Sequence, residues 1–280
     1  MTKVIDASAY QPWIGRSEES EDDVTRLAVR GMRALFDDEG AVNDGDALPP
    51  AWHWMFNNAV APQSRLGPDG HPKRGGFQPP IELPRRMWAG SDVSFEAPIR
   101  VGDRIRRRST IESITPKSGS TGALVFVVVR HEITSSSGGR TIDLQRIVYR
   151  EEAAPGAPQP KGEAPKAAAE FAMRMEPDPV MLFRFSALTF NGHRIHYDHP
   201  YTTQVEGYRG LVVHGPLLAL AMLENLRRHQ PGVSVRQFSF TPKRPVTTPG
   251  AFTACARRDG DAWDLWVECE GAVASVARVA

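Results

Sequence analysis

Residues 214–229, HGPLLALAMLENLRRH, decide how the chain is read. The segment is apolar nearly all round at its start, and a helix without a polar face is usually buried. Three strand-like runs follow it, at 235–240, 251–257 and 263–268, and a short last one covers 272–279. Upstream, Asp178-Pro179 is a helix start, with Asp as N-cap and Pro at the first helical position. PVMLFRFSALT continues that helix. Helices followed by a run of strands predict an α+β fold with an antiparallel sheet.

The first half repeats this plan. Val24, Leu27, Ala28, Met32 and Leu35 recur at helical spacing and predict an amphipathic helix over 22–36. Residues 46–78 are irregular: DALPPAWHWMF, then a Gly- and Pro-rich loop. VSFEAPIRVGDRIRRRSTIESITP holds two strands broken at Val101-Gly102-Asp103. ALVFVVVRHEIT (123–134) has the β-branched enrichment of a buried strand. RTIDLQRIVYRE (140–151) is its partner across the turn at 135–139. Ser94-Phe95 followed by Pro98 echoes Ser239-Phe240 followed by Pro242, as duplication of one helix-plus-sheet unit would leave. Between the halves lies AAPGAPQPKGEAPKAAA (153–169), with four prolines, two glycines and no large apolar side chain, an extended, exposed linker.

The whole chain fits two domains. Its 280 residues are 41% apolar and 24% charged, a globular profile. A formal net charge of +1 gives no global field to draw nucleic acid or an anionic membrane surface. No apolar run approaches the ~18 residues needed to span a bilayer. Residues 1–15 lack the basic start and apolar core of a signal peptide. Cys255 and Cys269 are therefore expected as reduced thiols in a cytoplasmic protein.

The chemistry concentrates in residues 185–217, FSALTFNGHRIHYDHPYTTQVEGYRGLVVHGPL. His193, His196 and His199 stand at three-residue spacing, with Asn191 and Asp198 among them. Three histidines and a carboxylate could hold zinc if the segment were one helix. Asn191-Gly192 and Asp198-His199-Pro200 are turn chemistry, and no metal is expected. An acid–base reading needs less. An imidazole in a loop beside a buried helix is a general base or acid near neutral pH. Gly215 opens the helix, where N–H groups lack intrahelical partners and the dipole's positive end points out. A carbonyl oxygen could approach that amide closely, and a developing enolate oxygen would be stabilised there. The bland alternative is that these histidines cap helices and satisfy loop carbonyls.

FSALTFNGHRIHYD followed by LVVHGPL resembles the active-site pattern of MaoC-like hydratases and dehydratases, the hydratase-2 group of the hotdog superfamily. On that resemblance His196 takes the place of the catalytic histidine. Gly215 takes the place of the glycine whose amide binds the thioester oxygen, and His214 that of the histidine before it. The family's catalytic Asp falls on Asn191, and its Asn-Pro pair on His193-Arg194. TFNGHRIHYD is similar to one subgroup: hydroxyacyl-thioester dehydratases type 2 and the mesaconyl-C4-CoA, itaconyl-CoA and 3-methylfumaryl-CoA hydratases. WIGRSE, LPPAWHWMF and GFQPPIELPRRMWAGSDVSFEAPIRVGD extend the likeness over nearly the whole chain.

The resemblance implies a double hotdog, two antiparallel sheets each wrapped around a central helix. Residues 1–152 would form an N-terminal domain without catalytic residues that shapes the acyl pocket, 153–169 the linker, and 170–280 the catalytic domain. It implies a cytoplasmic hydro-lyase that adds water to a short dicarboxylic enoyl-CoA. CoA would enter as part of the substrate, with no separate cofactor, no nucleic acid or membrane partner, and assembly as a homodimer. His196, Asn191 and Gly215 would be catalytic. Asn191 cannot move a proton at neutral pH, so it would hold the water while His196 shuttles protons. Arg194, His214, Asp198 and Arg209 would bind substrate. Arg194 leads the candidates for the free carboxylate, with Arg85, Arg86 and Arg209 behind it, because such a group wants a fork-shaped partner. Arg104, Arg106 and Arg108 alternate on one strand face and could meet CoA phosphates, although a solvated sheet face is the simpler reading. Rival readings are a dehydratase acting on acyl-carrier-protein substrates, a hotdog thioesterase, and a non-catalytic acyl-binding subunit.

Overall fold

A computed structural model describes residues 7–119, 122–151 and 161–280. Among these, ten strands form a single antiparallel sheet. The first half supplies β1 (Ser17–Asp23), β2 (Arg85–Ala97), β3 (Arg104–Gly119), β4 (Gly122–Ser135) and β5 (Arg140–Arg150). The second supplies β6 (Phe171–Met175), β7 (Gln237–Pro242), β8 (Phe252–Asp259), β9 (Ala262–Cys269) and β10 (Ala272–Val279). Their order is β1-β3-β4-β5-β2-β7-β10-β9-β8-β6. Each half therefore lays its own strands in the sequence first, third, fourth, fifth, second, and the two sets meet at β2 and β7. That seam runs from Ser91 opposite Phe240 to Ser94 opposite Gln237. The Ser-Phe echo in the sequence lies on these two strands. The two hotdog sheets are joined edge to edge.

The helices differ between halves. In the second, α3 (Gly215–His229) crosses the inner face and packs on β6, β8, β9 and β10. Ten of its 15 residues are buried, Leu217 to Leu226 without a break. That is the consequence of its all-round apolar start. Its companion α2 (Pro179–Leu188) is capped as its sequence requires, Asp178 accepting from the Met181 N–H at 2.7 Å. In the first half, α1 (Arg26–Leu35) is short and packs on α2, where Gly31 leaves room for the Leu188 side chain.

One expectation is corrected, and two edge strands join that the sequence reading did not contain. The first helix does not begin at Asp22: Asp22 and Asp23 end β1, and Thr25 caps α1 by accepting from the Ala28 N–H at 3.3 Å. SEESEDD has little intrinsic strand preference. It pairs because β3 presents an arginine run in register: Glu21 meets Arg104 at 2.8 Å and Glu19 meets Arg106. Cross-strand charge pairing at a sheet edge selects this strand, and the pairs are the solvated face that Arg104 and Arg106 occupy. The other edge strand, β6, also escapes the sequence reading; FAMRM is short and completes its pairing only against β8. Of the linker, 153–160 lie outside the described residues. Residues 161–169 carry no regular element and are largely exposed, with Glu163 O accepting from the Val273 N–H at 2.8 Å. No helix among the described residues is long and apolar enough to cross a membrane. Cys255 and Cys269 are buried free thiols.

Candidate active site

The loop after α2 turns sharply. Phe190 takes φ 47°, the Asn191 N–H donates to Ser186 O (2.8 Å), and Asn191 Oδ1 accepts from the His193 N–H (3.0 Å). A 3-10 turn, Arg194–His196, then aims the His196 ring inward. Two bonds clasp it to the segment entering α3. Val212 N–H donates to Ile195 O at 2.9 Å, and His196 Nδ1 meets Val212 O at 2.7 Å. A carbonyl can only accept, so Nδ1 carries the proton and Nε2 keeps its lone pair.

His196 and Gly215 thus stand side by side. The His196 ring stacks on His214, the N-cap of α3, with centroids 3.5 Å apart and planes at 18°. His214 Nε2 is 2.9 Å from Ser186 Oγ, and its buried Nδ1 meets no partner among the described residues. The Gly215 N–H has no acceptor among them either, as expected of a first helical position. A Cβ on Gly215 would lie 3.0 Å from the Trp88 ring, so glycine is what lets Trp88 of β2 close against the helix end.

The first half adds a second set of groups. The turn at 67–71, closed by Gly67 N–H to His71 O at 2.7 Å, presses on the loop carrying His196. Arg194 N–H donates to Asp69 O (2.9 Å), and a side chain at Gly70 would collide with Gly192 O. Gly70 takes φ 88°, so glycine is needed there for conformation as well as space. This contact carries Asp69 and His71 to the site. Both Asp69 oxygens accept from His71, one from its N–H at 3.0 Å and one from Nδ1 at 2.9 Å. The His71 ring lies 4.1 Å from that of His193, which stands edge-on to His196 at 5.5 Å.

Burial dominates the electrostatics. It pushes His196 down to about 3, helped by neighbouring His193 and opposed by the Val212 carbonyl. It likewise pushes His193 to about 3, with His71 adding to the effect, and holds His214 well below the ordinary imidazole value. His71 is lowered by burial although Asp69 pulls the other way. The Asp69 carboxyl is raised by burial but carried below its usual range by the His71 bonds. The rings are therefore neutral near pH 7, which a general base must be.

The structure brings together His193, His196, His214, Gly215 and Asn191. It does not bring the remaining candidates into that group. Arg194 and Asp198 hold each other at 2.7 Å. Arg194 also donates to Pro68 O (3.0 Å) and lies 4.1 Å over the Tyr201 ring, while Asp198 accepts from the Tyr201 N–H at 3.0 Å. Arg209 faces solvent beside Glu270 at 3.4 Å. His199 is exposed and makes no ring contact with the other histidines among the described residues, so the three-residue spacing does not converge. Asp69, His71 and His193 place their ligand atoms within 4.8 Å of one another, with one His71 nitrogen already bonded to Asp69. Asp69, His71 and Trp88 escape the sequence reading. The Asp-Gly-His turn was the available signal, but nothing local says that it touches a loop more than a hundred residues later.

A neutral imidazole whose Nε2 meets no partner among the described residues is stacked on the N-cap of the buried helix, next to the Gly215 amide, inside a double hotdog. A family model described as hydroxyacyl-thioester dehydratase type 2 matches residues 51–248. The mesaconyl-C(4)-CoA hydratase of Chloroflexus aurantiacus is 45% identical over 280 residues, covering 98% of this chain and 99% of that one. The mitochondrial hydroxyacyl-thioester dehydratase type 2 of Schizosaccharomyces pombe is 29% identical, covering 78% and 80%. Among solved structures, a Mycobacterium tuberculosis protein described as having a double hotdog fold superposes with a TM-score of 0.62 at 13% identity, covering 95% of each chain. The chain belongs to the hydroxyacyl-thioester dehydratase type 2 family.

Proposed function

We propose that the protein hydrates a short dicarboxylic enoyl-CoA of the mesaconyl-C4-CoA type, with His196 as the proton-transferring residue. The observation that carries the chemistry is the Nδ1 bond to Val212 O, which leaves Nε2 as the one basic nitrogen on that ring. The substrate class rests on the 45% identical hydratase.

In this reading the thioester oxygen accepts from the Gly215 N–H, and the dipole of α3 draws electron density towards it. The β-carbon becomes electrophilic. His196 Nε2 takes a proton from water as the water oxygen bonds to that carbon, and the electron pair of the double bond moves to the enolate oxygen. The imidazolium then returns its proton to the α-carbon. Asn191 has its Oδ1 committed to the His193 N–H, so its Nδ2 is the atom that holds the water. His214, bonded to Ser186, steadies the plane of His196 from behind. Arg194 and Asp198 enter as a pair that shapes the loop around the substrate. No cofactor is needed, a cytoplasmic address suits a CoA substrate, and the natural unit is a homodimer. Exposed Leu27, Val180 and Phe183 on α1 and α2 supply apolar surface for such assembly.

The test is loss of enoyl absorbance with mesaconyl-, itaconyl-, 3-methylfumaryl- and crotonyl-CoA. Turnover of a dicarboxylic thioester, absent from His196→Ala, is expected. Turnover confined to acyl-carrier-protein thioesters would replace this reading with the dehydratase one.

A further inference from the structure

A dicarboxylic enoyl thioester has a second, free carboxylate, and four arginines named from the sequence could receive it. Three are already engaged. Arg194 is joined to Asp198. Arg85 holds Glu206, bonding its carboxylate at 2.7 Å and its carbonyl at 3.1 Å. Arg209 is on the surface beside Glu270. Nearby Arg74 is spent on backbone, donating to the carbonyls of Ile81, Leu83 and Pro84.

Arg86 is different. Among the described residues it has no carboxylate partner; the group its guanidinium lies towards is the Tyr149 hydroxyl, whose proton goes to Gln78 Oε1 at 3.5 Å. Its position follows from register. Arg86 lies opposite Tyr149 on β5, and directly opposed residues share a face of the sheet. Tyr149 is fully buried on the inner face, so Arg86 projects inward while Arg85 projects the other way. Two residues on, Trp88 shares that face and meets the Gly215 position. One pleat of β2, about 7 Å, therefore separates Arg86 from the residue that closes on the helix-end amide. Arg86 is only half-buried, so a ligand can reach it. Its charge is felt by His71 and His193. Asp69 does not compete, since both its oxygens are turned to His71.

We infer that Arg86 is the subsite that takes the free carboxylate of the substrate, an inference that rests on the dicarboxylic reading above. A trans four-carbon diacid is rigid and carries its two carboxyl ends on opposite sides of the double bond. Gripping the thioester end at Gly215 fixes where the other end must be met, and among the described arginines compared above Arg86 is the one without a carboxylate or carbonyl partner. The fork of its guanidinium matches a carboxylate bidentately.

The experiment compares Arg86→Met and Arg86→Lys with the unmodified protein. Two quantities are read: the ratio of kcat/KM on mesaconyl-C4-CoA to that on crotonyl-CoA, and the ratio of inhibition constants for the unreactive pair succinyl-CoA and butyryl-CoA. Arg86→Met is expected to lower the kcat/KM ratio by about a hundredfold or more, and Arg86→Lys by about tenfold, since Lys keeps the charge but not the fork. The inhibitor preference should collapse in parallel. If Arg86→Met does not fold, the Lys variant decides on the same ratios. Unmodified protein that prefers mesaconyl-C4-CoA, with either folded variant keeping the same ratios, overturns Arg86 and leaves the dicarboxylic reading standing. Unmodified protein that handles crotonyl-CoA as well as mesaconyl-C4-CoA overturns both.

Discussion

The two halves build the same five-strand order and fill its concave face in opposite ways. In the second half the filling is α3, apolar from Pro216 to Leu223, with His214 and the Gly215 amide at its open end. In the first half α1 covers one end of the sheet, and a loop carrying Ile81 and Leu83 covers the other. Between them lies a buried polar cluster. Asp143 accepts from Trp54 Nε1 at 2.7 Å and meets His53 Nε2 at 3.4 Å, while His131 meets Ser109 Oγ at 2.8 Å. Both halves thus bury imidazoles, but in the second a buried ring stacks on the N-cap of a helix. Catalytic potential in this fold comes from what an imidazole is placed beside; its burial alone does not confer it.

The sharpest way to break the comparison is His196→Ala. Activity is expected to fall by about 10²–10⁴ or more, with the far-ultraviolet circular dichroism unchanged; near-normal hydration by the folded variant would remove the distinction. Gly215→Ala forces the Trp88 ring away from the helix end, and should cost up to about a hundredfold in kcat/KM. Asn191→Ala should cost less, about tenfold, since the proposed mechanism gives it a water to hold and no proton to move. The opposite half should answer in stability. Asp143→Asn weakens the acceptor shared by Trp54 and His53, so unfolding in urea should shift by about 1–3 kcal/mol while kcat changes only a few-fold. A larger fall in kcat than in stability would make the first-half cluster part of the chemistry.

The remaining contrast is read through pH. His193 and His196 are held near 3 and His131 near 4, chiefly by burial, and His71 and His214 are lowered too. The unfolded chain binds protons at these imidazoles near their ordinary value of about 6.5, where the folded chain does not. Stability therefore is complete above that pH and declines below it, by at most about 1.4 kcal/mol per pH unit for each group, until the folded values are reached. A urea midpoint that stayed level from pH 7 to 4.5 would contradict these burial effects.

Much of the fold was legible because its signals are local. The unbroken apolar run after Gly215, the Asp178-Pro179 cap and the β-branched β4 each carry their own physics within a few residues. Edge strands were not legible. β1 is written in acidic residues and becomes a strand only because Arg104 and Arg106 oppose it. The site divides in the same way. His196, His214 and Gly215 stand within one short stretch, whereas His71 and Trp88 arrive from the other half through backbone contacts that no sequence spacing records. Arg194 looked free in the sequence because its partner Asp198, four residues on, only comes into reach when the loop coils.

The clasp between Gly70 and Gly192 has a consequence for how the molecule could be divided. A fragment holding only the second repeat would keep His196 and the Gly215 amide but lose Trp88, His71 and the strand that seals β7. It would expose an unpaired sheet edge, an invitation to self-association. Mixing the two repeats as separate polypeptides should restore turnover only as they dock, so that activity becomes a readout of recombination and rises with the concentration of both pieces.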